Sequence, residues 1–187
     1  MKELSDYSGD FKQDIQFKDF SKESLIDLLN MYCRFYKAID GFWYLTVMNK
    51  VDEKTAIECD IAVWDKQFRY EMKRITQLLN IKGKDLTAFL KCFQFNPWSW
   101  NAKYKIEFIN NNSALWTVFR CPTIESLEKE GKGRDKVFCK SVETRMFESF
   151  VKSFNPDITV KYLKLPPRQT KEDICCQWEF KLNKSTG

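Results

Sequence analysis

The sequence predicts an α+β protein: a helical N-terminal half packed on a small, mostly antiparallel sheet with one crossover helix. Three observations predict it. Apolar residues recur at helical spacing through the N-terminal half, the period changes to two after Asn96-Pro97-Trp98, and one amphipathic helical segment then interrupts the strands. Residues 1–20 read as an irregular lead-in. Residues 21–187 read as a single domain, helical over about 21–95 and sheet-forming over about 103–182.

Ser21 is suited to cap a helix that begins at Lys22-Glu23 and repeats Leu25, Leu28, Leu29, Tyr32, Phe35 and Tyr36 along one side. Gly41, in Asp40-Gly41-Phe42-Trp43, is expected to break or re-aim this helix before a short second one. Asp52 then caps the longest helix, over about 53–81, which Gly83 is expected to close. A further helix runs from Asp85 to about Phe93, and Pro97 ends helical pattern. Tyr104, Ile106 and Phe108 alternate with polar residues, Asn110-Asn111-Asn112 turns the chain, and Leu115–Phe119 returns it, a hairpin signal. A short helix covers Thr123 to Glu130. The crossover helix after Cys139 carries Phe147, Phe150, Val151 and Phe154 on one face, and two strands follow, Ile158 to Leu163 and Ile174 to Leu182.

Aromatic residues make up 16% of the chain, enough to fill a core or to wall a pocket for a flat or apolar ligand. The net charge of +5 is not gathered into the dense basic block of a nucleic-acid arm. The richest stretch, Lys129 to Lys136, is broken by acids and glycines, so a nucleic-acid partner is not expected. No run approaches the roughly 20 apolar residues of a membrane span, and the polar N-terminus lacks the apolar stretch of a secretory signal. A cytoplasmic protein with reduced thiols is expected, since seven cysteines, an odd number, do not form a disulfide framework.

Two sets of residues carry candidate chemistry. On the long helix, Ile57, Ile61, Phe68, Met72, Ile75 and Leu79 form the core face, and Asp60, Trp64, Gln67, Glu71 and Arg74 form a second stripe beside it. One reading is a structural network in which Glu71 pairs with Arg74 three residues on. The other is a pocket wall, with Glu71 as base and Arg74 holding a carboxylate. Asp60 and Glu71 lie about 16 Å apart at the usual helical rise, which rules them out as a catalytic or metal-binding pair.

The second set is the cysteines. Cys33, Cys59 and Cys92 fall within helical segments and read as small buried hydrophobes. Cys121 ends a strand, Cys139 opens a helix, and Cys175-Cys176 begins the last strand, so these thiols could converge. Strand alternation points Cys176 inward with Trp178 and Phe180, and Cys175 outward with Gln177 and Glu179. A helix N-terminus favours a thiolate, which makes Cys139 the candidate nucleophile. Cys121, Cys139 and Cys176 are candidate ligands for zinc or an iron–sulfur cluster.

The series Asp40-Gly41-Phe42-Trp43, Ala56, Trp64, Glu71, Arg74, Asn96-Pro97-Trp98, Arg120-Cys121, Cys139-Lys140, Pro166-Pro167 and Cys176-Gln177-Trp178-Glu179-Phe180 resembles the uncharacterised proteins related to L-2-amino-thiazoline-4-carboxylic acid hydrolase. The resemblance runs from about Ser21 to Leu182. Its motifs are short, and their order carries it. The C-terminal half more loosely resembles the vinyl-reductase-like small-molecule-binding domains, which implies a pocket between helices and sheet. Relatives often carry histidine where this chain has Asn96. The namesake reaction opens a thiazoline ring by attack of water on its C=N carbon, and a chain without histidine must activate that water with cysteine, carboxylate, lysine or tyrosine.

The resulting expectation is a small-molecule-binding protein or hydrolase of C–N bonds with a cysteine-lined pocket. Arg74 or Arg120 would hold a small acidic or apolar ligand, Trp43, Trp64, Trp98 and Asp60 would shape the site, and Cys139 and Glu71 would act on the bound molecule. Two other readings stand beside it: a zinc- or iron–sulfur-binding accessory protein without turnover, and a non-catalytic interaction module that forms a homodimer.

Overall fold

The computed structural model describes residues 3–183, so the first two residues of the expected lead-in and the last four of the expected domain lie outside the described residues. The fold is α+β as expected, with five α-helices, mainly in the N-terminal half, and a four-stranded antiparallel sheet in the C-terminal half.

The lead-in carries a single turn of 3-10 helix at Phe17–Asp19. It is pinned where Leu4 N–H donates to Asp19 O and Ser21 N–H to Leu4 O. Helix α1, Lys22–Lys50, starts where the Ser21 hydroxyl accepts from Ser24 N–H. It runs without a break through Gly41. The expected interruption there is wrong: a lone helical glycine costs only about 1 kcal/mol, which packing along the rest of a 29-residue helix outweighs. Asp52 caps α2, Glu53–Leu78, by accepting from Thr55 N–H. The helix stops before Gly83 because Asn80 takes a left-handed backbone, φ 52°.

Asp85 caps α3, Leu86–Gln94. Strands β1, Lys103–Asn110, and β2, Ser113–Arg120, form the expected hairpin. Helix α4, Pro122–Glu130, ends at Gly131, whose φ of 71° only glycine adopts without cost. A π-helical turn at Cys139–Glu143 leads into α5, Thr144–Phe154, then β3, Ile158–Lys164, and β4, Cys176–Leu182. The strand order is β1-β2-β4-β3, with every neighbouring pair antiparallel.

Helices α3 and α5 cover one face of the sheet, α2 lies across them, and α1 packs on α2 as the outermost layer. The core is aromatic. Phe68 of α2 stacks on Phe150 of α5 at 3.6 Å, Phe147 meets Trp178 at 4.6 Å, and Phe89 meets Phe180 at 5.5 Å. Being outermost, α1 buries one side only. Ile26, Leu29, Tyr32, Phe35, Ile39 and Phe42 remain exposed at helical spacing. Among the described residues, no helix is long and apolar enough to cross a membrane.

Candidate functional site

Three acids meet at one place. Asp40 comes from α1, Asp60 from α2, and Glu143 from the π turn before α5. They line a cavity of about 50 Å³ with Trp64, Asn96 and Trp98, roomy enough for a few water molecules. Two wider grooves lie beside α1 and share lining residues with it. One, about 270 Å³, lies between α1 and α2 and is walled by Tyr36, Trp43, Trp64 and Gln67. The other, about 250 Å³, lies between α1 and α4, with Lys37, Thr123 and Arg134 in its walls. Asp40 borders all three spaces.

Local structure explains how each acid arrives there. Asp40 is held by the indole N–H of Trp64, which donates to its Oδ1 at 2.9 Å. Asp60 stands one turn before Trp64 on α2, and the residue is only 4% exposed. Its Oδ1 has no hydrogen-bond partner within the protein. The π turn, closed by Thr144 N–H donating to Cys139 O, adds a residue to the helix start beneath Glu143. Such bulges recur at functional sites.

Burial drives the electrostatics. It pushes Asp60 up to about 8, with the neighbouring charges of Asp40 and Glu143 adding to the rise. Glu143 goes up to about 7, from burial and then Asp40. Asp40 is also raised by burial, against the hydrogen bonds from Trp64 and Asp60 and the charge of Lys37. Asp40 and Asp60 line the same cavity, and the Asp40 charge raises Asp60 further.

Glu71 is elsewhere. It is buried, and its carboxylate accepts from Tyr36 hydroxyl, from Gln67 Nε2 at 2.8 Å and from Asn96 Nδ2. It lines none of the three spaces, and its oxygens are committed to neutral donors, so the role of base expected for it does not fit. Instead it positions residues that do: Tyr36 and Gln67 in the α1/α2 groove, and Asn96 in the cavity. Burial raises Glu71, against the bonds from Tyr36 and Gln67. The expected Glu71–Arg74 pair is absent among the described residues. Arg74 is exposed and lies over the Tyr70 ring at 5.2 Å. Arg120 is exposed and paired with Glu125 at 2.9 Å. Neither arginine borders the cavity, so a site for an acidic ligand does not form around them.

Trp64, Trp98 and Asp60 line the cavity, and Trp43 lines the α1/α2 groove. The acids Asp40 and Glu143 were missed. Asp40 stands in the Asp40-Gly41-Phe42-Trp43 motif but without a patterned partner, and Glu143 is an isolated carboxylate on an amphipathic segment.

The four C-terminal thiols do gather, close enough for each of Cys121, Cys175 and Cys176 to oppose ionisation of Cys139. They sit in the core behind Glu143 and do not line the three spaces. The expected cysteine-lined pocket is therefore a carboxylate-lined one. The expected thiolate at Cys139 is also corrected. Burial, followed by the Glu143 charge, pushes this thiol far above its ordinary range, and proximity to a helix start does not offset that. Cys121 is pushed up to about 12 and Cys176 well upward, both chiefly by burial. Among the described residues, no group of three or more cysteines, acids or histidines is arranged to hold a metal ion. Cys175, expected to face outward, is fully buried and directs its thiol to Phe119 O at 3.4 Å. The segment bearing Arg168, paired with Glu128 of α4, covers this side of the strand start.

Residues 18–182 match the sequence model of a family of unknown function, DUF6125. The chain belongs to that family. No curated protein matches it, and no solved structure does. The DUF6125 match begins just before α1 and ends at the last residue of β4, so it takes in the whole helix-on-sheet unit and all three acids of the site.

Proposed function

We propose that the protein is a small-molecule hydrolase that works through paired carboxyls. The observation that carries this reading is that Asp40 and Asp60 line one water-sized cavity, with two grooves beside it that also border on Asp40. At neutral pH Asp60 keeps its proton and serves as acid, while Asp40, held by Trp64, serves as base. Water between them attacks an electrophilic carbon such as that of a C=N bond. Asp40 takes the proton of the water as the C–O bond forms, and the nitrogen takes the proton of Asp60. The adduct then collapses: its hydroxyl becomes the carbonyl and returns a proton to Asp60, while the ring bond of that carbon breaks and its leaving atom takes the proton held by Asp40, which restores both carboxyls. This is the division of labour of other carboxyl dyads. Glu143 sets the charge around the pair.

The resemblance to the thiazoline-carboxylate hydrolase relatives supports the same place. Asn96, which stands where those relatives often carry histidine, lines this cavity. The test is turnover of L-2-amino-thiazoline-4-carboxylate and a panel of cyclic amidines, followed as ring opening. Asp40→Asn and Asp60→Asn should each lose on the order of 10²–10⁴ in rate. Turnover that survives both substitutions, or no turnover of any substrate by the wild type, overturns the reading.

A second reading, assembly as a homodimer, is favoured by the exposed stripe of α1 from Ile26 to Phe42. Light scattering tests it: a dimer that Phe35→Glu dissociates supports it, and a monomeric wild type rejects it.

A further inference from the structure

We infer that the groove between α1 and α2 binds a small organic cation, an alkylated ammonium headgroup, with Asp40 as its counter-charge. On α1, Tyr36, Asp40 and Trp43 follow at spacings of four and three, which puts the carboxylate between two rings on one helix face. Trp64 closes the corner from α2. Its ring stands edge to face with Tyr36, centroids 5.8 Å apart and planes at 78°, so two aromatic surfaces meet nearly at a right angle above Asp40. The Trp64 N–H fixes the carboxylate from beneath.

The charges are one-sided. No lysine or arginine lines this groove or the cavity behind it. Behind Asp40, Glu143 and Asp60 line the cavity, the latter more than nine-tenths buried with an oxygen that has no hydrogen-bond partner in the protein. Two cations, Lys37 and Arg134, line the groove on the other side of α1; Arg134 pairs with Glu130, and among the described residues neither pairs with Asp40. A carboxylate walled by indoles selects for a diffuse, weakly hydrated positive charge, because ring faces attract a cation whose desolvation costs little. A metal ion is the poorer match, since the groove offers one carboxylate, and the Tyr36 hydroxyl and Gln67 amide in its walls already donate to Glu71. At about 270 Å³ the groove suits a headgroup and not a drug-sized molecule. Trp43 remains 40% exposed at the mouth, an aromatic surface left for a ligand to cover.

The inference deepens the hydrolase reading by naming the charge class of its ligand, and rests on that reading only in sharing Asp40. Its test therefore uses binding without turnover. Choline and its uncharged isostere 3,3-dimethyl-1-butanol are titrated at constant ionic strength against full-length protein. Tryptophan fluorescence and calorimetry report binding. Choline should bind at least about tenfold more tightly than the alcohol, and Asp40→Asn should abolish that preference. Trp43→Leu, a change at an exposed position, should weaken choline several-fold while melting like the wild type. Equal binding of the two probes, or choline binding unaltered by Asp40→Asn, overturns the inference, as does absence of saturable choline binding. Choline binding with no hydrolysis of any substrate would sink the hydrolase reading and leave this one standing. Hydrolysis with no preference for the cation would do the reverse.

Discussion

Replacing Asp60 with asparagine should stabilise the protein at neutral pH, a sign opposite to that of most substitutions at a buried residue. In the unfolded chain this carboxyl loses its proton at the ordinary 3.8, whereas the fold keeps it protonated to about 8. Between those values the native state binds the additional proton. Stability from this group is therefore complete below pH 3.8, declines as pH rises, and is lost by about pH 8. At ~1.4 kcal/mol per pH unit, holding the proton at pH 7 costs the fold about 4 kcal/mol. Water entering the cavity screens part of this, so a gain of ~1–3 kcal/mol is expected for Asp60→Asn at pH 7. Asparagine keeps the volume and supplies an amide N–H in place of the acid proton for Asp40. The gain should vanish near pH 4, where wild type and variant are both neutral at this position. Glu143 and Asp40 are raised by the same burial, so the wild type should still lose stability from pH 4 to 8 after the substitution, but less steeply. Urea unfolding of both proteins at several pH values measures this directly. A variant less stable than wild type at pH 7, or a difference independent of pH, would refute the reasoning that a desolvated acid sits there.

Other consequences can be measured on the same preparations. Glu71→Ala leaves the Tyr36, Gln67 and Asn96 donors unpaired and should destabilise by ~2–4 kcal/mol, with Glu71→Gln costing about half as much because one acceptor oxygen remains; equal losses would contradict the three-donor network. In native protein at pH 8, Cys121, Cys139 and Cys175 should resist an aromatic disulfide reagent until denaturant is added, and mass spectrometry showing rapid native labelling of Cys139 would overturn its assignment as a buried thiol. Gly41→Ala should raise stability by ~0.5–1 kcal/mol, since the added methyl meets no atom within 4 Å and the helix is continuous there; destabilisation would mean that α1 bends at this point.

The helices and strands were legible because periodicity is a local property. The 3.6-residue repeat around Phe68 and Met72, the alternation of Tyr104, Ile106 and Phe108, and the caps at Ser21, Asp52 and Asp85 all act within a few residues of themselves. Where a local rule failed, a non-local term outweighed it. Gly41 is carried through α1 by packing, and Cys175 is buried by a segment that reaches it only in the folded chain. The stripe Asp60, Trp64, Gln67, Glu71 was also visible, but its division was not. A helix face shows which residues lie together and says nothing of which meets a cavity and which meets three donors.

The sequence by itself determined the class of the fold, the order of its elements, and the candidacy of Asp60 and the tryptophans. Only the tertiary structure decided that Asp40, Asp60 and Glu143 share one cavity, that burial opposes ionisation of the thiols, and that Arg74 and Arg120 lie exposed at the surface. The reason is physical. Secondary structure follows from side chains near one another along the chain. The chemistry of a carboxyl or thiol follows from its desolvation and neighbouring charges, and those are set by elements as far apart in sequence as α1 and the turn before α5.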